Sequence, residues 1–409
     1  MAEQINETTY DITTVSGHIS AVEVGDLLQD DFYPQIKVKA WDNEANFSVR
    51  LDTSISGATF EETASGIVWY SADGNVVGTF YYFTTEEIEN GAYEFELDLY
   101  DKPSSRTIPF TIRSKELDFF YQPALTQEEI DNGDERPENV VGSYAVYHSS
   151  KSNNKYKAGK ALHIFRPWAQ DANGWKVWCE LNIDVANQTL TITLPEDFYN
   201  DAVYPVKIDP TLGYTSVGGS VSALNLNEFF GCAWNTVCLA TQNGSVDKFW
   251  ISGKNAAGID GKLCKTKPVI TDVSGNILTN GIGPEITDIT LRTVHWRSID
   301  YIDKPNFVSG NYYMPGHVGW NGTGGVQYAT SFDSVPVGQV GGVLDPTNNY
   351  NTPQNTGTLL NLRSRYTIYV EYSAAAPSGY THTVNNIPAA NLASLNGVAT
   401  ANIAKVNGV

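Results

Sequence analysis

Residues 36–51 read IKVKAWDNEANFSVRL, and Ile36, Val38 and Ala40 alternate there with Lys37, Lys39 and Trp41 before Phe47, Val49 and Leu51 alternate with Ser48 and Arg50. A period of two places every second side chain on one face of a strand, so one face is apolar and the other is wet. The same alternation returns at Tyr93, Phe95, Leu97 and Leu99 against Glu94, Glu96 and Asp98. Asp73-Gly74 stands between the aromatic-rich runs 67–70 and 76–83, which predicts a two-residue hairpin. Residues 1–105 thus read as an antiparallel sandwich.

Working outward, a second β unit is expected over 106–213. Val177, Cys179, Leu181 and Ile183 point one way, Asn187-Gln188 turn the chain, and Leu190, Ile192 and Leu194 return. Residues 214–373 shift toward Gly, Asn and Ser with long loops between short strands, which predicts a jelly-roll-like sandwich. Its clearest strand alternates Tyr366, Ile368, Val370 and Tyr372 with Thr367, Tyr369 and Glu371. The expected fold class is all-β, with tandem antiparallel sandwiches in three domains followed by a short C-terminal repeat tail over 374–409.

Composition agrees: 23 Tyr, 16 Phe and 9 Trp with 35 Gly and only 2 Met favour strands and turns over helical bundles. Two short helices are expected at 84–91 (TTEEIENG) and 126–133 (TQEEIDNG), each with a Thr cap, a Glu three residues on and an Asn-Gly stop. In the tail, 374–379 (AAAPSG) reads as a linker. Beyond it VNNI, LNGV and VNGV recur every eleven residues, carrying Asn385, Asn386, Asn396, Gly397, Asn407 and Gly408. So few large side chains cannot build a core, so the repeat is expected to order against a neighbouring subunit as an assembly tail.

With 26 basic against 46 acidic residues the net charge is −20, which disfavours nucleic acid and anionic membranes, because phosphate binding needs clustered Lys and Arg. The start MAEQINETTYD lacks a basic and an apolar signal region, and no run of 18 apolar residues occurs, so neither secretion nor membrane insertion is expected. Cys179, Cys232, Cys238 and Cys264 form no C-x-x-C pair, and buried thiols are expected, with Cys232 and Cys238 the one near pair.

The segments GSYAVYH (142–148), GKALHIFRPWAQDANGWKVW (159–178) and YPVKIDPTLGYTSVGGS (204–220), with the terminal ATANIAKVNGV, resemble a pattern carried by uncharacterised virion proteins of tailed bacteriophages. The resemblance implies a non-enzymatic structural protein on the particle exterior, as a head decoration or tail fibre. It would be made in the host cytoplasm and released by lysis. The implied partners are other virion proteins and further copies of the chain, with a trimer favoured.

No catalytic residue, cofactor or metal is expected. Six scattered histidines match no metal spacing, and His148 and His163, in apolar strand contexts, are expected to be structural. The acidic loop 131–135 resembles a cation loop in composition only, and its ligand order does not match an EF-hand. The alternative function is glycan recognition at the host surface, with Trp296, Tyr301, Tyr312, Tyr313, Trp320 and Tyr328 as candidate contacts, because aromatics beside polar groups stack on sugar rings. The competing reading of these six is core packing. A third possibility is a polysaccharide-degrading tailspike using two acids from distant strands.

Overall fold

The computed structural model describes residues 2–13, 19–64, 66–83, 92–131, 134–209, 211–213, 218–223, 228–232, 239–255, 263–289, 294–320, 328–337, 339–356, 359–374, 394–395 and 398–399. Every strand pairing among them is antiparallel, and the architecture is all-β. Two sandwiches follow one another, one over residues 3–213 and one over 220–374. No helix among the described residues is long and apolar enough to cross a membrane.

The expected division at residue 105 is corrected. Strand Thr107–Lys115 lies between Ala45–Leu51 and Thr189–Thr193 in one sheet. Strand Ala92–Leu99 is flanked in the other sheet by Val206–Asp209, Thr211–Gly213 and Val76–Phe83. Chain from both sides of the expected boundary is therefore interleaved in both sheets. A single core runs from Tyr10 to Leu212 and includes Phe47, Phe95, Phe110, Leu190 and Ile208. Alternation along a strand reveals its buried face but not its neighbour, which is why two sandwiches were expected where one exists.

Local readings fare better. Ile183 opposes Leu190 and Leu181 opposes Ile192 in the hairpin of Glu180–Asp184 with Thr189–Thr193. Upstream, Lys176–Trp178 belongs to the other sheet, so the chain changes sheets at the buried Cys179. The Asp73-Gly74 hairpin also forms, although its loop holds four residues. The Ser71 N–H donates to the Val76 carbonyl and the Gly74 N–H to the Ser71 carbonyl, with Gly74 at φ 72. The Thr126 cap forms as expected, its hydroxyl and N–H both donating to Glu129 at the start of the helix Gln127–Asp131. The expected helix at 84–91, Cys238 and the six tail residues Asn385, Asn386, Asn396, Gly397, Asn407 and Gly408 lie outside the described residues, while Ser394–Leu395 pairs with Val398–Ala399.

The two sandwiches meet at a buried polar junction. Asp333, 1% exposed, accepts from the Tyr147 hydroxyl at 2.5 Å and the Gly219 N–H at 2.8 Å and pairs with Lys160 at 2.9 Å. The Arg365 guanidinium lies 3.7 Å from the Tyr147 ring centre and donates to the Ala158 carbonyl. Gln122 and Ser334 exchange two hydrogen bonds, and Arg136 donates to Ser220 and Ser334. Farther along, the side-chain oxygens of Asn153 and Asn154 accept the N–H groups of Val370 and Tyr372. Gly218, leading into the second sandwich, sits where an added Cβ would lie 2.4 Å from the Phe332 backbone of that same sandwich, so no side chain fits there.

Ile192 is fully buried at the centre of the first core. Ile192→Ala is expected to destabilise residues 3–213 by about 2–5 kcal/mol in urea unfolding. A loss below about 1 kcal/mol would contradict a single shared core.

Candidate functional site

Directly opposed residues of an antiparallel pair share a sheet face. Trp178 opposes Trp168, Trp168 opposes Asp209, Thr211 opposes Glu94 and Glu94 opposes Tyr81. The intervening Phe80, Phe95, Ile208 and Ala169 point into the core. The strands that bury the core thus raise a second, polar and aromatic face on their other side.

Three carboxyl groups on that face, Glu94, Glu96 and Asp209, lie within 4.8 Å of one another, close enough to share one cation. They are already engaged. Glu94 accepts from the hydroxyls of Thr211 at 2.8 Å and Tyr81 at 2.9 Å, and Lys207 pairs with Glu96. Burial, the hydrogen bond to Glu94 and the charges of Glu94 and Glu96 push the Asp209 carboxyl up to about 9, against the pull of Lys176. At neutral pH Asp209 therefore carries a proton shared with Glu94.

Beside the trio, a cleft of about 680 Å³ opens between the sandwiches. The first sandwich contributes Phe165, Arg166, Trp168, Lys176 and Trp178, and Gly218, Gly219 and Val294 close the other side. Both indoles are half-buried and each carries a cation: Lys176 Nζ lies 3.5 Å from the Trp168 ring centre, and the Arg166 guanidinium lies 5.5 Å from that of Trp178. Arg166 also donates to Glu138 at 3.1 Å. A second hollow of about 320 Å³, lined by Glu135, Arg136 and Lys254, shares Pro137, Gly218 and Gly219 with the first and so extends it.

His163 is part of the cleft wall and is fully buried. Burial and the nearby Lys160 drive its ring down to about 3, so it is neutral. The Ser143 hydroxyl lies 2.6 Å from the Val140 carbonyl, to which it donates, and 2.6 Å from His163 Nε2. With its one proton committed to Val140, Ser143 can only accept from His163, which places the imidazole proton on Nε2 and leaves Nδ1 as an acceptor. Nδ1 has no hydrogen-bond partner among the described residues.

The six aromatics singled out from the sequence are not brought together. Tyr301, Tyr313 and Tyr328 are 3%, 5% and 0% exposed and belong to the second core, so they are withdrawn as ligand contacts. Tyr313 stacks on Phe307 at 4.2 Å, and Trp296 packs edge-on against Trp250 and Tyr369. Trp320 tilts against Tyr350 with Lys265 nearby, and Tyr312 is 40% exposed. In the acidic loop Asn132 and Gly133 lie outside the described residues, and Glu135 pairs with Lys254 at 2.6 Å. His317 is fully buried and neutral, held between Thr266 and Thr330. Burial pushes the Cys179 thiol up to about 12, and the Cys232 thiol donates to the Tyr366 carbonyl.

The cleft indoles were missed because Trp168 and Trp178 are joined by strand register, ten positions apart in the chain. The available signal was the segment 168–178 itself, which puts two Trp at the ends of a hairpin around Asp171-Ala172-Asn173-Gly174. No protein-family model, curated protein or solved structure matches the chain.

A carboxyl whose folded pKa is raised contributes stability that is complete below its unfolded value, near 4, and is lost as pH rises toward about 9. Asp209→Asn removes this dependence while keeping a donor for Glu94. Its melting temperature is expected to exceed that of the parent at pH 9 and to lose that advantage by pH 5; parallel curves across this range would contradict the shared proton.

Proposed function

We propose that this chain is a non-enzymatic recognition protein on the exterior of a tailed-bacteriophage particle, and that it binds a host-surface glycan in the cleft between its two sandwiches. The observation that carries the reading is the cross-strand pair Trp168 and Trp178, two half-buried indoles beside polar groups in a concave site of about 680 Å³. Indole faces match the apolar C–H faces of sugar rings, and the polar rim suits their hydroxyls.

Binding without turnover is supported by the carboxyl geometry. Glycoside hydrolysis sets two acids on either side of the bond to be broken, roughly 5 Å or more apart. Glu94, Glu96 and Asp209 instead crowd within 4.8 Å of one another, closer than that arrangement requires. Placement on a particle is supported by the resembling segments 142–148, 159–178 and 204–220, which meet at this cleft and its junction.

A second reading is an assembly protein that acts through subunit contacts alone, as a trimer or another oligomer. It is favoured by the edge strand Glu3–Asn6, whose four residues are all exposed beside a single pairing partner, a geometry that accepts a strand from another subunit.

Screening the full chain against a glycan array is expected to give defined ligands without their hydrolysis. Trp178→Ala should weaken them by roughly 1 kcal/mol, about fivefold. Ligands that bind the variant as tightly as the parent would remove the cleft from the account. Antibody to the chain should label the outside of intact particles, and particles free of the protein would end the virion assignment.

A further inference from the structure

We infer that the cleft takes an extended acidic saccharide, one that presents carboxylates to Arg166, Lys176 and Lys254 and a ring hydroxyl to His163. This inference rests on the reading of the cleft as a glycan site and adds the chemical class of the ligand.

The first support is charge. Across the chain acidic residues outnumber basic ones, 46 to 26. Along the two joined hollows the order reverses, with Arg136, Arg166, Lys176 and Lys254 against Glu135 and Glu138. Arg136 is committed to the junction through Ser220 and Ser334, but the other three cations face the hollows. The neighbouring carboxyl trio does little to cancel them, because Asp209 shares a proton with Glu94 and Lys207 pairs with Glu96.

The second support is that carboxylates already occupy the expected positions. Glu138 places an oxygen 3.1 Å from Arg166, and Glu135 places one 2.6 Å from Lys254. Both side chains come from an exposed loop and are 66% and 59% exposed. Exposed ion pairs contribute little, so ligand carboxylates can exchange with them at small cost. Because the hollows share the wall of Pro137, Gly218 and Gly219, two such groups would be met by one elongated chain.

The third support is independent of charge. His163, a fully buried residue of the cleft wall, has an Nδ1 with no donor among the described residues. A hydroxyl supplies what it lacks, whereas a carboxylate there would meet a second lone pair. The site thus asks for hydroxyls at its wall and anionic groups at its rim, a combination found in uronate-type sugars.

The test compares oligogalacturonate with its carboxyl-reduced counterpart, the matching oligogalactose, by calorimetry on the full chain. The acidic chain is expected to bind at least about tenfold more tightly, with affinity falling as salt rises. Lys176→Met, which changes an exposed side chain, should remove most of that preference. His163→Phe, its fold confirmed by circular dichroism, should weaken both. Equal affinity for the two chains would overturn the acidic class and leave the glycan reading standing. Preference for the acid that survives Lys176→Met would overturn the site. Binding of neither, with an array empty of other glycans, would end both.

Discussion

The buried pair of Lys160 and Asp333 is the constraint on which the arrangement depends. Burial raises the cost of the Asp333 charge, but Lys160 and the Gly219 N–H outweigh it and hold the carboxyl at about 2. Two charges taken out of water contribute little net stability unless every lone pair and proton is satisfied. Here Tyr147 and Gly219 add two hydrogen bonds to the carboxylate, and removing one partner of the pair would strand the other in a dry interface. Such a pair tolerates one relative placement of the sandwiches. That placement decides where Gly218 and Gly219 stand across from Trp168 and Trp178, and so the width of the cleft.

The same strands serve core and site. Along Ala92–Leu99, Phe95 and Leu97 fill the first core while Glu94 and Glu96 stand on the opposite face. Trp168 is placed by pairing with Asp209 and Trp178, so it rests on a hairpin of the sheet rather than on a free loop. Side chains held by a ladder give more exact geometry than loops do. The proton shared by Asp209 and Glu94 belongs to this economy. It lets three carboxyl groups pack beneath the cleft without the repulsion of three full charges.

Strand identity and burial were legible in the sequence because a period of two is local. Ile36, Val38, Phe47 and Val49 are buried as their alternation requires, and so are Tyr366, Ile368, Val370 and Tyr372, although the alternating Thr367 and Tyr369 are buried as well, so that strand has no wet face there. Pairing between distant strands was not legible. Nothing in residues 107–115 names Ala45–Leu51 as their neighbour, and the apparent boundary at 105 followed from that blindness. The site was hidden for the same reason, since Glu94, Asp209 and Trp168 converge only through register. Aromatics chosen for their Gly-rich surroundings, such as Tyr328, turned inward because the strands flanking those loops need large side chains for a second core. Histidine behaved as its apolar context suggested, although the bare Nδ1 of His163 depends on a serine twenty positions away.

If the two sandwiches are one body around one cleft, they must also lose structure together. Scanning calorimetry of the full chain at neutral pH tests this directly, with Asp333→Ala as the comparison. One cooperative transition is expected for the parent and two separated transitions for the variant, in which Lys160 is left buried without Asp333. Two independent transitions in the parent, unchanged by Asp333→Ala, would contradict it.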